Sequence, residues 1–167
     1  MNNIYITGFM GSGKSTFGAE LAKILGYSFT DLDTSIEEKA GKSIAEIFEK
    51  EGEEAFRKIE QDALKETEKL KDHVISTGGG TPCFFDNMTW MNAHGKTVYI
   101  KLFDSELYKR LSDDNKERPL LKDIDDEELR GFIYKTLRQR ALYYHQAQII
   151  IDGTQMSAEL LAEKLKG

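Results

Sequence analysis

Short runs of branched and aromatic residues alternate along the chain with longer stretches in which apolar positions recur every three or four residues, and glycines punctuate the joints. Asn3-Ile4-Tyr5-Ile6-Thr7 reads as a buried first strand that stops at a glycine-rich segment. Over residues 14–25 Phe17, Leu21, Ile24 and Leu25 fall at helical spacing, and Gly26 supplies a C-terminal stop. A second strand is expected over about 27–32. A cluster of short helices follows, with Thr34-Ser35-Ile36-Glu37 and Ser43-Ile44-Ala45-Glu46 both written as capping boxes and Gly41 and Gly52 between segments. One longer helix is predicted over about 53–70, a third strand over 73–77 ending in Gly78-Gly79-Gly80, a helix over 85–93 and a strand over 97–102. Helices over 105–111 and about 127–144, a strand over 148–151 and a helix opening at Ser157 complete the pattern.

Strands that alternate with helices dictate an α/β fold, a three-layer α/β/α sandwich around a five-stranded parallel sheet with right-handed crossovers. The polar stretch over about 112–126 cannot bury much apolar surface and reads as a mobile lid on a single domain spanning residues 1–167. There is no internal repeat, low-complexity tract or linker.

Composition narrows the setting. With 29 acidic and 23 basic residues the formal net charge is -6, which argues against nucleic-acid and anionic-membrane partners, so an anionic ligand has to be met locally. Hydrophobic residues make up 40% of the chain, enough for a core without staples. Cys83 is the single cysteine, and His73, His94 and His145 have no zinc-like spacing, which suits a reducing cytoplasm. Neither an export signal nor a membrane span is expected.

The chemistry begins at Gly8-Phe9-Met10-Gly11-Ser12-Gly13-Lys14-Ser15, which fits G-x-x-x-x-G-K-[ST] between a predicted strand and a predicted helix. Inward-pointing N–H groups of Gly11, Ser12, Gly13, Lys14, Ser15 and Thr16, together with the helix N-terminus, form a cradle for phosphate. The Lys14 ammonium can reach the β- and γ-phosphates of ATP, and the Ser15 hydroxyl can join the shell of Mg2+. By itself this motif does not separate a kinase from a GTPase or a nucleotide-driven switch.

Asp31-Leu32-Asp33 falls at the end of the second strand, where alternation would send both carboxylates to one side, toward the ligand crevice at the carboxyl ends of the strands. One could orient the metal and the other accept a hydroxyl proton. Equally, Asp33 or Thr34 could simply cap the next helix.

In order along the chain, the phosphate loop, Asp31-Leu32-Asp33, Gly52-Glu53-Glu54-Ala55-Phe56-Arg57, Gly78-Gly79-Gly80, Arg118-Pro119-Leu120-Leu121 and Arg140-Ala141-Leu142-Tyr143-Tyr144 resemble the motifs of shikimate kinases. The resemblance spans nearly the whole chain. It implies Mg2+-dependent transfer of the ATP γ-phosphoryl group to the 3-hydroxyl of shikimate, a step toward chorismate and the aromatic amino acids, in a cytoplasmic enzyme taken by default as a monomer. It further implies that Asp31 helps to hold magnesium and that Asp33 binds substrate hydroxyls and acts as the base. Arg57 and Arg140 would bind the shikimate carboxylate, Gly79 with Gly80 would offer main chain to substrate, and Arg118 of the lid would approach the ATP phosphates.

A guanidinium fork suits a carboxylate better than an ammonium does. Arg57 alone could equally pair with Glu53, Glu54 or Glu60 as a solvated helix surface. Around Arg140 the family's proline is replaced by Leu142, and aligning on Tyr143 instead of Tyr144 would put Gln139 in the arginine's place. Related alternatives are another small-metabolite kinase, such as a gluconate kinase, or a nucleotide-binding regulator without transfer.

Overall fold

Each central strand splits its side chains between two apolar cores. In the computed structural model, which describes residues 3–113, 124–155 and 157–167, the strands are β1 (Asn3–Thr7), β2 (Ser28–Asp31), β3 (His73–Ser76), β4 (Gly95–Lys101) and β5 (Ile149–Asp152). Tyr5, Ile75 and Tyr99 face one side, while Ile4, Ile6, Val74, Val98, Ile100 and Ile151 face the other, as a period of two requires. All pairings are parallel, in the order β2-β3-β1-β4-β5, so the chain reverses its direction of travel across the sheet beside β1. The α/β/α architecture expected from the sequence is therefore present.

Helix α1 (Lys14–Leu25) packs with the C-terminal α8 (Ala158–Lys166) on one face, where Leu21, Ala22, Leu161 and Ala162 close the core. Gly26 ends α1 in the left-handed region, with the Gly26 and Tyr27 N–H groups donating to the carbonyls of Lys23 and Ala22, so Tyr27 belongs to the helix stop and β2 starts at Ser28. On the other face lie α2 (Leu32–Ala40), α3 (Ile44–Glu51), α4 (Glu53–Glu66) and α5 (Asn87–His94), contributing Leu32, Ile36, Ile47, Phe56, Leu64, Met88 and Met91. Helices α6 (Asp104–Asp113) and α7 (Asp126–Tyr144) pack together over Phe9 through Leu107, Leu111, Leu129 and Ile133. Within the lid expectation of 112–126, residues 114–123 lie outside the described residues, while 112–113 end α6 and 126 begins α7. No helix among the described residues is long and apolar enough to cross a membrane.

Three local expectations are corrected. Ser43 and Glu46 do form a capping box, but Thr34 and Glu37 do not, because Asp31 accepts the Thr34 N–H first and starts α2 at Leu32. The helix expected to reach residue 70 ends at Glu66 and tightens into a 3-10 turn, Thr67–Lys69, where the buried Thr67 hydroxyl donates to the Leu64 carbonyl. Phe85 sits at φ 52 and so stands outside α5, which starts at Asn87.

One polar side chain knits the lower edge of the sheet. The Asn3 amide, 5% exposed, donates to the carbonyls of Thr67 and Leu70 and accepts from the His73 N–H, tying β1 to the turn that feeds β3. Truncation would take the amide from the part-buried Leu70 carbonyl and His73 N–H, at about 1 kcal/mol apiece, while the Thr67 carbonyl keeps the Leu70 N–H. Asn3→Ala should therefore lose about 1–3 kcal/mol in urea unfolding, whereas a loss below about 0.5 kcal/mol would show that water replaces the amide.

Candidate active site

Strand register assembles the site. Ile6 pairs with Ser76, and Asp31 pairs with the same Ser76 from the opposite side, so the segments leaving β1, β2 and β3 emerge in one row. This is the crevice at the carboxyl ends of strands where an open parallel sheet binds its ligands. Thr77 continues the row, its N–H and its hydroxyl both donating to the Ile6 carbonyl.

After β1 the chain curls through Gly11 at φ 79 and Gly13 at φ 87, conformations that a side chain would resist. Gly13 is the N-cap of α1, and it supplies no side-chain cap. The first turn also lacks an acid, unlike α2, α3, α7 and α8, which Asp31, Ser43, Asp125 and Ser157 cap. The N-terminal N–H groups of α1 are thus left facing a cavity of about 360 Å³, a favourable setting for an anion. Gly11, Gly13, Lys14, Ser15 and Thr16 line that cavity together with Asp31, Asp33, Ser76, Thr77 and Gly79. The Lys14 ammonium donates to the Phe9 carbonyl at 3.0 Å, across the loop. Ser12, with its side chain buried, contributes instead to a neighbouring cavity of about 190 Å³ with Thr16, Phe17, Ile100, Arg110 and Gly153.

The two aspartates occupy different elements, which corrects the picture of alternation along one strand. Asp31 ends β2 and is itself the helix cap; its other oxygen accepts the Ser15 hydroxyl at 2.5 Å. Asp33 lies in the first turn of α2 and reaches the cavity from there. Burial, then the neighbouring charges of Asp31 and Glu60, raise its carboxyl from 3.8 to about 6, with Lys14 opposing the shift. Hard oxygen donors from Ser15 and Asp31, close together beside a phosphate cradle, fit a magnesium ion that takes its remaining ligands from phosphate and water.

The glycine triplet is the meeting point. A Cβ on Gly78 would lie 2.9 Å from Asp33 Oδ1, one on Gly79 3.0 Å from Arg140 Nη1, and one on Gly80 2.7 Å from Arg57 Nη1. Three charged side chains therefore approach three consecutive residues that have no side chain to block them. Arg57 is not a solvated helix arginine: its side chain is 12% exposed and its Nη1 donates to Glu60, 1% exposed, at 3.0 Å. The Glu53 pairing, at 3.7 Å to Nε, is the peripheral one. Glu60 also accepts the Thr81 hydroxyl at 2.8 Å. Arg140 borders Gly79, whereas Gln139 is exposed, so the geometry selects the register that counts back from Tyr144. The Tyr144 hydroxyl donates to the Gly79 carbonyl at 2.6 Å and lies 3.5 Å from Arg140 Nη1. Arg118 lies outside the described residues.

Sequence reading missed Arg110 and the hydroxyl of Tyr144. It offered Glu60 as one of three acids that Arg57 could pair with, and the pairing is present, but buried rather than solvated. Arg110 donates to the Ser12 carbonyl at 3.3 Å, and only the packing of α6 over the phosphate loop brings it there.

The raised carboxyl of Asp33 makes a signed prediction for the ligand-free protein. Below pH 3.8 the group is protonated in both folded and unfolded chains; as pH climbs through about 6 the unfolded chain ionises first and native stability falls, by at most about 3 kcal/mol. Asp33→Asn should hence raise the melting temperature at pH 8 and leave it nearly unchanged at pH 4. Equal shifts at both values would show that Asp33 ionises freely in the fold.

The shikimate kinase family model matches residues 10–166. A shikimate kinase from Parabacteroides distasonis is 49% identical over 95% of this chain and 92% of its own. The crystal structure of a shikimate kinase from Bacteroides thetaiotaomicron superposes with a TM-score of 0.92 at 40% identity, covering 99% of this chain and 96% of that one. One from Acinetobacter baumannii, in complex with shikimate, does so with a TM-score of 0.84 at 37% identity, covering 99% and 91%. With its phosphate loop, paired aspartates and glycine triplet set in that fold, this chain belongs to the shikimate kinase family.

Proposed function

We propose that the protein transfers the γ-phosphoryl group of ATP to the 3-hydroxyl of shikimate, giving shikimate 3-phosphate and ADP. The observation that carries this reading is the convergence of Asp33, Arg140 and Arg57 on Gly78, Gly79 and Gly80, beside the phosphate cradle and in a chain of this family. Nothing in the site favours gluconate, and the full set of cradle, carboxylate and arginines argues against a regulator that lacks transfer.

In this reading the N–H groups of residues 11–16 and the Lys14 ammonium hold the ATP phosphates, while the nucleoside end extends toward Arg110 and Gly153. Ser15 and Asp31 hold Mg2+, which when bound offsets charge on the transferring phosphates. Arg57 and Arg140 grip the acceptor carboxylate from the two sides of Gly79 and Gly80. The acceptor hydroxyl is thereby turned toward Asp33, whose carboxylate accepts its proton as the new P–O bond forms and the bond to the ADP oxygen breaks. Arg118, on the proposed lid, completes the phosphate contacts. The proposed working unit is one domain in a cytoplasmic monomer.

The test is ADP release from magnesium-ATP with shikimate, gluconate or no acceptor, and the mass of the product. Release that requires shikimate, with a product heavier by one phosphoryl group, is expected; release only with gluconate, or none with ATP bound, overturns the reading. Asp33→Asn should keep ATP affinity and lose turnover by about 100-fold or more; unchanged turnover would remove Asp33 from the proton's path. Arg57→Lys keeps a charge opposite Glu60 but gives up the fork, and should weaken shikimate binding by about 2 kcal/mol. A normal apparent affinity in that variant would return Arg57 to a purely structural pairing.

A further inference from the structure

Arg57 is held on its edge by Glu60, but a guanidinium also has two faces, and these decide whether it stays dry. The ring of Phe84 lies over one of them, with the Arg57 Cζ 4.0 Å from the ring centroid, closer than Phe56 at 5.2 Å or Phe48 at 5.9 Å. Phe56 and Phe48 have another task, since both pack in the core on that face of the sheet and lie 4.7 Å apart, ring to ring. Phe84 belongs to none of the three apolar cores among the described residues.

The backbone is bent to deliver this ring. Phe84 is extended, at φ -120 and ψ 145, and the next residue, Phe85, occupies the left-handed region at φ 52 with its own side chain 58% exposed. A bulky residue in that conformation is uncommon and costs free energy that its exposed ring does not recover. Both flanks are pinned: the Cys83 N–H donates to the Gly80 carbonyl, the Asn87 amide donates to the Thr81 carbonyl at 2.9 Å, and Asp86 meets Gln61 and Lys65 of α4. A reversal held this firmly places Phe84, rather than Phe85, against Arg57.

Arg57 also has a donor that no hydrogen bond among the described residues engages. Its Nε is buried and has no hydrogen-bond partner among the described residues, the Glu53 carboxylate being 3.7 Å away. A ring over the face excludes water and adds cation–π attraction while leaving in-plane donors open, the geometry in which a guanidinium takes a carboxylate through two parallel bonds. We infer that Phe84 is a positioning residue that holds the Arg57 guanidinium flat and desolvated, and so sets the affinity of the acceptor site for a carboxylate. This deepens the proposed function and rests on it.

Phe84→Leu keeps an apolar side chain and removes the π face, whereas Phe84→Tyr keeps the face. Phe84→Leu should raise the KM for shikimate about five- to tenfold, with kcat and the KM for magnesium-ATP within about twofold of wild type, and Phe84→Tyr should restore the shikimate KM. The Arg57 Nε–Hε resonance, assigned by its loss in Arg57→Lys, should carry a ring-current shift that Phe84→Leu abolishes and Phe84→Tyr retains. An unchanged shikimate KM in Phe84→Leu, an equal loss in both variants, or a loss spread over kcat and both substrates overturns the inference. A wild-type protein inert toward shikimate would overturn the proposed function instead. The Arg57 resonance would then decide the stacking alone: insensitivity to Phe84→Leu refutes it, and a shift reversed by Phe84→Tyr supports it.

Discussion

The constraint on which the site depends is steric: three charged side-chain ends lie so close to three consecutive glycines that a Cβ there would displace them. Asp33 comes to Gly78 from α2, Arg140 to Gly79 from α7 and Arg57 to Gly80 from α4, each to a distance that an alanine at the facing position would contest. Parallel pairing puts this triplet directly after β3, next to β1 and its phosphate loop, because adjacent parallel strands end on the same side of the sheet. Charge from three separated segments is thereby brought to three consecutive residues.

Concentrating charge at the edge of a core has an electrostatic cost, and the structure meets it unevenly. Arg57 and Glu60 offset one another's charge where both are buried, with Thr81 satisfying a further Glu60 oxygen. Asp33 has no salt bridge among the described residues, and its carboxyl is displaced upward by burial and by Asp31 and Glu60, against the pull of Lys14. The contrast suits the proposed function, in which a guanidinium that only binds can be paired permanently, whereas a group that accepts a proton has to be left reactive. Burial also pushes the neighbouring Cys83 thiol up to about 11, so a nucleophile beside the site is kept inert.

The capping pattern makes the same division between structure and function. Asp31, Ser43, Asp125 and Ser157 satisfy the starts of their helices with side chains, which fixes those helices without any ligand. Helix α1 begins at a glycine with no such cap, as α4 does at Gly52, but α4 has Glu53 and Glu54 in its first turn whereas α1 has no acid there and starts at Lys14 beside the cavity. That end has no side-chain cap, so in the proposed function phosphate oxygens would take the place a capping side chain holds elsewhere.

Much of this was legible in the sequence because it is encoded over a few residues. Periodicity gave the alternation of strands and helices, the phosphate loop announced itself by spacing, and the order of motifs carried the resemblance to shikimate kinases. Sequence did not say that Asp31 rather than Thr34 caps α2, since both are good caps and the choice turns on where β2 lets go of the sheet. Nor did it separate Arg140 from Gln139, or a solvated Arg57 from a buried one. Those outcomes depend on partners far away along the chain: Gly79 and Tyr144 are 65 positions apart, and Ser12 and Arg110 are 98 apart. A local pattern fixes what a residue's own backbone does; whether its charge is buried, and against which neighbour, is settled only when the sheet brings distant segments together and excludes water between them.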